Sequence, residues 1–113
     1  VKEVKAVNEM LEVKKCICPK FEKTFSILGK KWTGLIIEVL MDGDKRFKEL
    51  AAQIPNVSDR VLVERLKELE DEKIVVRTEN PAAAIKVMYG LSEKGKALNS
   101  VMQEIQTWSD AWV

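Results

Sequence analysis

The chain has 113 residues, 19 Lys plus Arg against 18 Asp plus Glu, a formal charge of +1, two cysteines and no histidine. Without imidazole there is no Ser-His-Asp or Cys-His nucleophile pair, no HExxH metal site and no imidazole proton shuttle. With 46% hydrophobic and 33% charged residues, disorder throughout is excluded, and one domain burying roughly two-thirds of its unfolded surface is expected. Two cysteines give too few ligands for the usual zinc site, so no metal, no other cofactor and no enzymatic activity are expected. There is no apolar run of the ~18 residues that a membrane span needs. The N-terminal VKEVKAVNEM carries charges throughout, unlike a signal peptide. The missing initial Met reads as a processed or trimmed sequence. Two cysteines do not make a disulfide framework, so the expectation is a cytoplasmic protein without a membrane partner.

The elements follow in chain order. Val4, Val7 and Leu11 recur at helical spacing and predict a helix from Val4 to Lys14. A break at Cys16–Pro19 follows. Proline suits the first turn of a helix, so Pro19 opens a second helix to about Leu28, with Phe21, Phe25 and Leu28 on its apolar face. A third runs from about Lys31 to Met41, apolar at Trp32, Leu35, Ile36, Val39 and Leu40, and ends in the turn Asp42-Gly43-Asp44. A short helix from Phe47 to about Gln53 turns inward Phe47, Leu50 and Ala51. Pro55-Asn56 make a tight turn. Ser58 then caps a strong helix from Asp59 to about Glu72 with the buried stripe Leu62, Leu66 and Leu69.

There the period changes from helical to alternating. Ile74 to Thr78 is rich in β-branched residues and reads as a strand. Ile85, Val87, Tyr89 and Leu91 alternate with Lys86, Met88 and Gly90 in a second strand, and a short loop at Asn80-Pro81 makes the pair a hairpin. Ser92 caps a last helix reaching the C-terminus, striped by Leu98, Val101, Met102, Ile105, Trp108 and Trp112. The fold class is mainly α with a small β-hairpin. A helix-turn-helix followed directly by a hairpin is the order of a winged helix, whose helix enters the major groove while the hairpin meets backbone or minor groove.

The near-zero charge is unevenly distributed. Lys45, Arg46 and Lys48 lead the helix-turn-helix, Arg60, Arg65 and Lys67 ride its second helix, and Arg77 and Lys86 sit on the hairpin. Glu68, Glu70, Asp71, Glu72, Glu93, Glu104 and Asp110 lie behind. A basic front on an acidic body orients a protein on DNA; the plain alternative is a solvated surface with ordinary ion pairs. With the leucine stripe inward, Ser58, Asp59, Arg60 and Val63 project near the helix start. Arg60 is the candidate for a bidentate guanine contact. Ser58 and the helix N-terminus are candidates for a phosphate. Arg65 either reaches a phosphate or braces the fold.

These residues resemble the HxlR-type branch of the MarR-like winged-helix transcriptional regulators of bacteria. The matching segments are Cys18-Pro19, Leu28 to Trp32, Gly43 with Arg46 to Leu50, Ile54-Pro55, Ser58 to Leu62, Glu64 to Glu70, Val76-Arg77 and Val87 to Ser92 with Gly95. Together they cover about residues 18–113, and residues 1–15 read as a helical N-terminal extension of a single domain, 1–113. The opening at Cys18 and the run from Gly29 to Gly43 look most like the thiol-stress and quinone-sensing members. The chain departs from the family pattern at Asp44 and at Ala84-Ile85, where the family often has prolines. The resemblance implies a homodimer, with repression the expected sign of regulation, on double-stranded, pseudo-palindromic operator DNA. It implies dimerisation through the terminal helices, for which Val4, Val7, Leu11, Leu98, Met102, Ile105, Trp108 and Trp112 are available. Packing of those stripes on their own domain is the alternative.

The resemblance also assigns Cys18 as the sensing thiol for an oxidant or electrophile such as a quinone or diamide. The setting agrees, because Cys18 precedes a helix start and Lys15, Lys20 and Lys23 are near, and both effects favour the thiolate. A Cys16–Cys18 bridge within one chain is strained at that spacing, so an intersubunit bond is the more plausible use of Cys16. The alternative is a small packing cysteine. Trp32 is expected as a core anchor rather than a stacking platform, and Met41, Met88 and Met102 as core filling rather than a ligand pocket. Two rival functions remain: the same fold controlled by a small-molecule ligand, and a winged-helix module that binds protein and not DNA.

Overall fold

A computed structural model describes residues 17–84 and 87–113. The expected first helix with Val4, Val7 and Leu11, together with Cys16, Ile85 and Lys86, lies outside those residues. The order is α1 (Pro19–Leu28), α2 (Thr33–Leu40), α3 (Phe47–Gln53), α4 (Asp59–Asp71), β1 (Val75–Glu79), β2 (Val87–Leu91), α5 (Glu93–Lys96) and α6 (Asn99–Trp112). No helix among the described residues is long and apolar enough to cross a membrane.

The core is built from one face of each element. Ile36, Ile37 and Leu40 of α2, Leu50 and Ile54 at α3, Leu62, Leu66 and Leu69 of α4, and Ile74, Val75 and Leu91 at the hairpin form a single buried cluster. The α4 stripe is the one its leucine spacing predicts. The α2 stripe is not. Its buried positions are Thr33, Ile36, Ile37 and Leu40, and Leu35, expected inward, is 53% exposed. At 100° per residue Leu35 cannot share a face with Ile37 and Leu40. Trp32 is half-buried against the core, as are Met41 and Met102.

Backbone turns fix how these elements meet. Helix α2 starts two residues later than expected, because Trp32 adopts the left-handed region with φ 81°. The Thr33 N–H closes a tight turn on the Lys30 carbonyl at 3.2 Å. Asn56, at φ 74°, makes the turn between α3 and α4. Helix α4 begins with the Ser58 Oγ accepting from the Val61 N–H at 3.2 Å. It ends in a Schellman motif: Ile74 N–H donates to the Leu69 carbonyl and Lys73 N–H to the Glu70 carbonyl, both at 2.9 Å. The left-handed residue there is Lys73, φ 64°, where glycine is usual.

The hairpin is antiparallel with Val75 opposite Leu91 and Glu79 opposite Val87. Lys45 exchanges both backbone bonds with Tyr89 at 2.8 Å, so the wing is laced to the segment leading into α3. The last helix, expected as one piece, is two. At Leu98 the backbone bonds to Gly95, an i−3 partner, before regular pairing resumes with Met102 on Leu98. Gly95, buried against the Ile74 carbonyl, stands just before the break. Leu98 packs there against the core.

Candidate nucleic-acid interface and thiol site

The outward face of α4 carries Asp59, Arg60, Val63, Glu64, Lys67 and Asp71, all exposed. The Ser58 cap uses the Val61 N–H. The Asp59 and Arg60 N–H groups lack intrahelical partners, as at any helix start, so this end presents donors and a positive dipole end. Lys48 projects from α3 and Arg46 precedes it. Glu49 reaches back to the Arg46 N–H at 2.8 Å. That backbone bond first, with the Arg46 and Lys45 charges behind it, holds the Glu49 carboxyl below the ordinary carboxylate range.

Ion pairing draws two of the acids at the back of α4 to the body: Glu72 pairs with Lys23 at 3.3 Å and Glu68 with Lys30 at 2.9 Å, while Asp59, Glu64 and Asp71 stay on the outward face. Among the described residues no carboxylate pairs with Lys48, Arg60 or Lys67. Arg65 belongs to the bracing set. Its Nε donates to the Lys31 carbonyl at 3.0 Å, its Nη1 lies 3.5 Å from Glu68, and its side chain is 19% exposed. Of the two roles open to it in the sequence, bracing is the one its contacts describe.

A groove of about 370 Å³ separates α4 from the wing, lined by Val63, Leu66, Lys67, Glu70, Arg77 and Tyr89. Arg77 pairs with Glu79 on its own strand. The Glu79 carboxylate, then the Tyr89 hydroxyl, hold its guanidinium all the more firmly charged.

Cys18 is exposed and stands at the N-cap of α1, its carbonyl accepting from the Glu22 N–H at 3.0 Å. It is therefore not a buried packing residue. Phe21 and Phe25 follow three and seven positions on, within α1, while Cys18 itself has the extended backbone of an N-cap, ψ 125°. Those rings form an edge-to-face pair 4.9 Å apart and remain about 60% exposed.

The stripe on the last helix divides. Leu98 and Met102 pack against the chain's own core, with the Met102 methyl over Gly34. Val101, Ile105, Trp108 and Trp112 are exposed along α6. From Val101 through Ile105 and Trp108 to Trp112 the steps are four, three and four, a spacing that keeps these exposed side chains on one face of α6.

The profile of the HxlR-like helix-turn-helix family matches residues 27–113. The chain belongs to the HxlR family. The HTH-type transcriptional regulator YodB of Bacillus subtilis strain 168 is 57% identical to it over 94 residues, 83% of this chain and 84% of that protein. The reduced form of YodB superposes with TM-score 0.78 at 56% identity over 86% of this chain and 95% of that one. Structures of YodB bound to quinone and treated with diamide are also similar, each with TM-score 0.73. They share 54% and 55% identity over 84% and 87% of this chain, and 100% and 97% of theirs. The redox regulator HypR in its reduced form is 33% identical with TM-score 0.76, over 81% of this chain and 91% of its own. The chain is a transcriptional regulator of this HxlR helix-turn-helix type, a family of regulators and not of enzymes.

Proposed function

We propose that the chain acts as a homodimeric repressor on pseudo-palindromic operator DNA and that modification of Cys18 by an oxidant or electrophile switches its affinity. Helix α4 enters the major groove, with Arg60 at a base edge and Ser58, Asp59 and the open N–H groups at its leading end. Arg46, Lys48 and Lys67 hold phosphates, and the wing contributes Arg77 and Lys86. The sequence also placed Arg65 at the DNA; its contacts favour a supporting role. The exposed face of α6 joins two copies through Ile105, Trp108 and Trp112, flanked by Leu98 and Met102 and, in the sequence reading, by Val4, Val7 and Leu11. Exposed apolar residues at that spacing favour a partner helix over solvent.

One observation carries the switch. The Cys18 thiol is exposed at the N-cap of α1, one turn ahead of the exposed Phe21–Phe25 pair. An aromatic electrophile joined to that sulfur meets an apolar platform beside it. A quinone adds to the thiolate directly. Diamide takes two hydrogens from two thiols and leaves a disulfide, for which Cys16 or Cys18 of a second copy supplies the other sulfur. Either product alters a surface available for dimer contact, and two half-sites bind together only while their spacing is kept. The quinone-bound and diamide-treated forms known for YodB support this chemistry.

The test is operator binding by fluorescence anisotropy across a salt series, with and without diamide or benzoquinone, for the native chain and Cys18→Ser. The native protein should lose at least tenfold in affinity on treatment, and Cys18→Ser should not respond. Equal responses remove Cys18 as the sensor. Absence of salt-dependent DNA binding removes the DNA reading in favour of a protein-interaction module.

A further inference from the structure

We infer that Val63 reads sequence, and that it does so by packing on the 5-methyl group of a thymine beside the base Arg60 contacts. The inference rests on the DNA-binding reading above and specifies what that reading's operator must contain. Val63 is 51% exposed, whereas Leu62, Leu66 and Leu69 on the same helix are at most 1% exposed. Every other exposed position of α4 is charged: Asp59, Arg60, Glu64, Lys67 and Asp71. An isopropyl group in the middle of a charged face contributes nothing to the core, and as a β-branched residue it is not a favoured helix former either.

Its position suits a base edge. Val63 lies three residues after Arg60 and four before Lys67, on one stripe of the helix. Three residues advance about 4.5 Å along the axis, slightly more than the ~3.4 Å separating successive bases. A helix lying along the groove with Arg60 on one base edge therefore brings Val63 to the neighbouring one. Val63 also borders the groove between α4 and the wing, with Lys67 on its own helix and Arg77 on the hairpin. Lys67, one turn on from Val63 and unpaired with any carboxylate among the described residues, can hold a phosphate beside that base, whereas Arg77 across the groove is paired with Glu79 and Glu70 also lines it.

The chemistry then selects the base. Valine has no donor or acceptor, so it cannot distinguish bases by hydrogen bonding. The apolar group on a major-groove base edge is the thymine methyl. Replacing thymine by uracil removes that methyl and leaves every hydrogen-bonding group in place.

The experiment selects operators from a random duplex library with the reduced native chain, then replaces each dT by dU singly and in symmetric pairs. One thymine in each half-site should show a penalty of about fourfold, the worth of one buried methyl, and about fifteenfold when both are replaced. Val63→Ser should bind the dT and dU operators equally, and Val63→Ile should keep the penalty. Because the side chain is exposed, Val63→Ser should leave the melting temperature near that of the native chain. A selected motif without a dU-sensitive thymine, or a Val63→Ser protein that keeps the fourfold penalty, overturns the Val63 assignment alone. Failure to select any motif overturns the DNA reading and this inference with it.

Discussion

Replacing Arg65 by alanine separates a brace from a DNA contact on the same helix. In the free protein the Arg65 Nε donates to the Lys31 carbonyl at 3.0 Å across the gap between α4 and the α1–α2 turn. That turn contains Trp32 at φ 81°, a conformation costing a bulky residue roughly 1–3 kcal/mol unless the surroundings fix it. Lys30, the first residue of the turn, is held from the same helix by Glu68 at 2.9 Å. A hydrogen bond from a charged donor is worth about 1.5–3 kcal/mol. The Glu68 and Glu64 contacts at 3.5 and 3.9 Å are half-exposed pairs and add little. Water can replace part of the lost bond at this partly exposed site, so Arg65→Ala should cost about 2 kcal/mol. For a domain of this size that lowers the melting temperature by roughly 8 °C. Urea and thermal unfolding at one fixed protein concentration read it, and concentration matters if the fold is coupled to dimerisation. Arg65→Lys keeps the charge but not the Nε geometry, and should recover less than half of the loss. The slope of log K against log salt for operator binding should not change. If stability falls by less than ~0.5 kcal/mol while the slope drops by ~0.9, the value of one phosphate contact, the brace is refuted and Arg65 belongs to the DNA face.

Lys73→Gly relieves the left-handed residue closing α4 and should raise stability by about 1 kcal/mol in urea unfolding. Gly95→Ala should lower it by about 1–3 kcal/mol, because a Cβ there collides with the Ile74 backbone carbonyl, which cannot swing aside like a flexible side chain. Glu49 has its folded-state carboxyl below the ordinary 4.5, so its stabilising share is complete above that value and is lost as pH falls through the folded value. The native melting temperature should therefore fall more steeply than that of Glu49→Gln below pH ~4.5. Trp108→Glu, at an exposed position of α6, should leave the monomer folded and weaken self-association at least tenfold in sedimentation equilibrium.

The sequence alone was enough for the elements whose signals are local. The Ser58 cap, the leucine stripe of α4, the proline opening of α1 and the switch to a two-residue period at the hairpin each follow from near neighbours along the chain. Their order was enough to read a winged helix. The position of Cys18 at a helix start was legible for the same reason, since Pro19 sets it locally.

What the tertiary structure decided concerns faces and partners. Leu35 reads as core until the true phase of α2 is fixed by Trp32 turning left-handed, and that turn is held by side chains 34 and 38 positions away, Arg65 on Lys31 and Glu68 on Lys30. The break at Leu98 follows Gly95, whose close approach to the Ile74 carbonyl is a tertiary contact that spacing along the chain does not show. Net charge is likewise a sum without geometry. Composition gives +1, but only the folded chain shows Glu68 and Glu72 engaged with Lys30 and Lys23 while Arg60 and Lys67 face outward among Asp59, Glu64 and Asp71. Local spacing dictates which groups can share a face, and long-range contact dictates which of those faces is left for a partner.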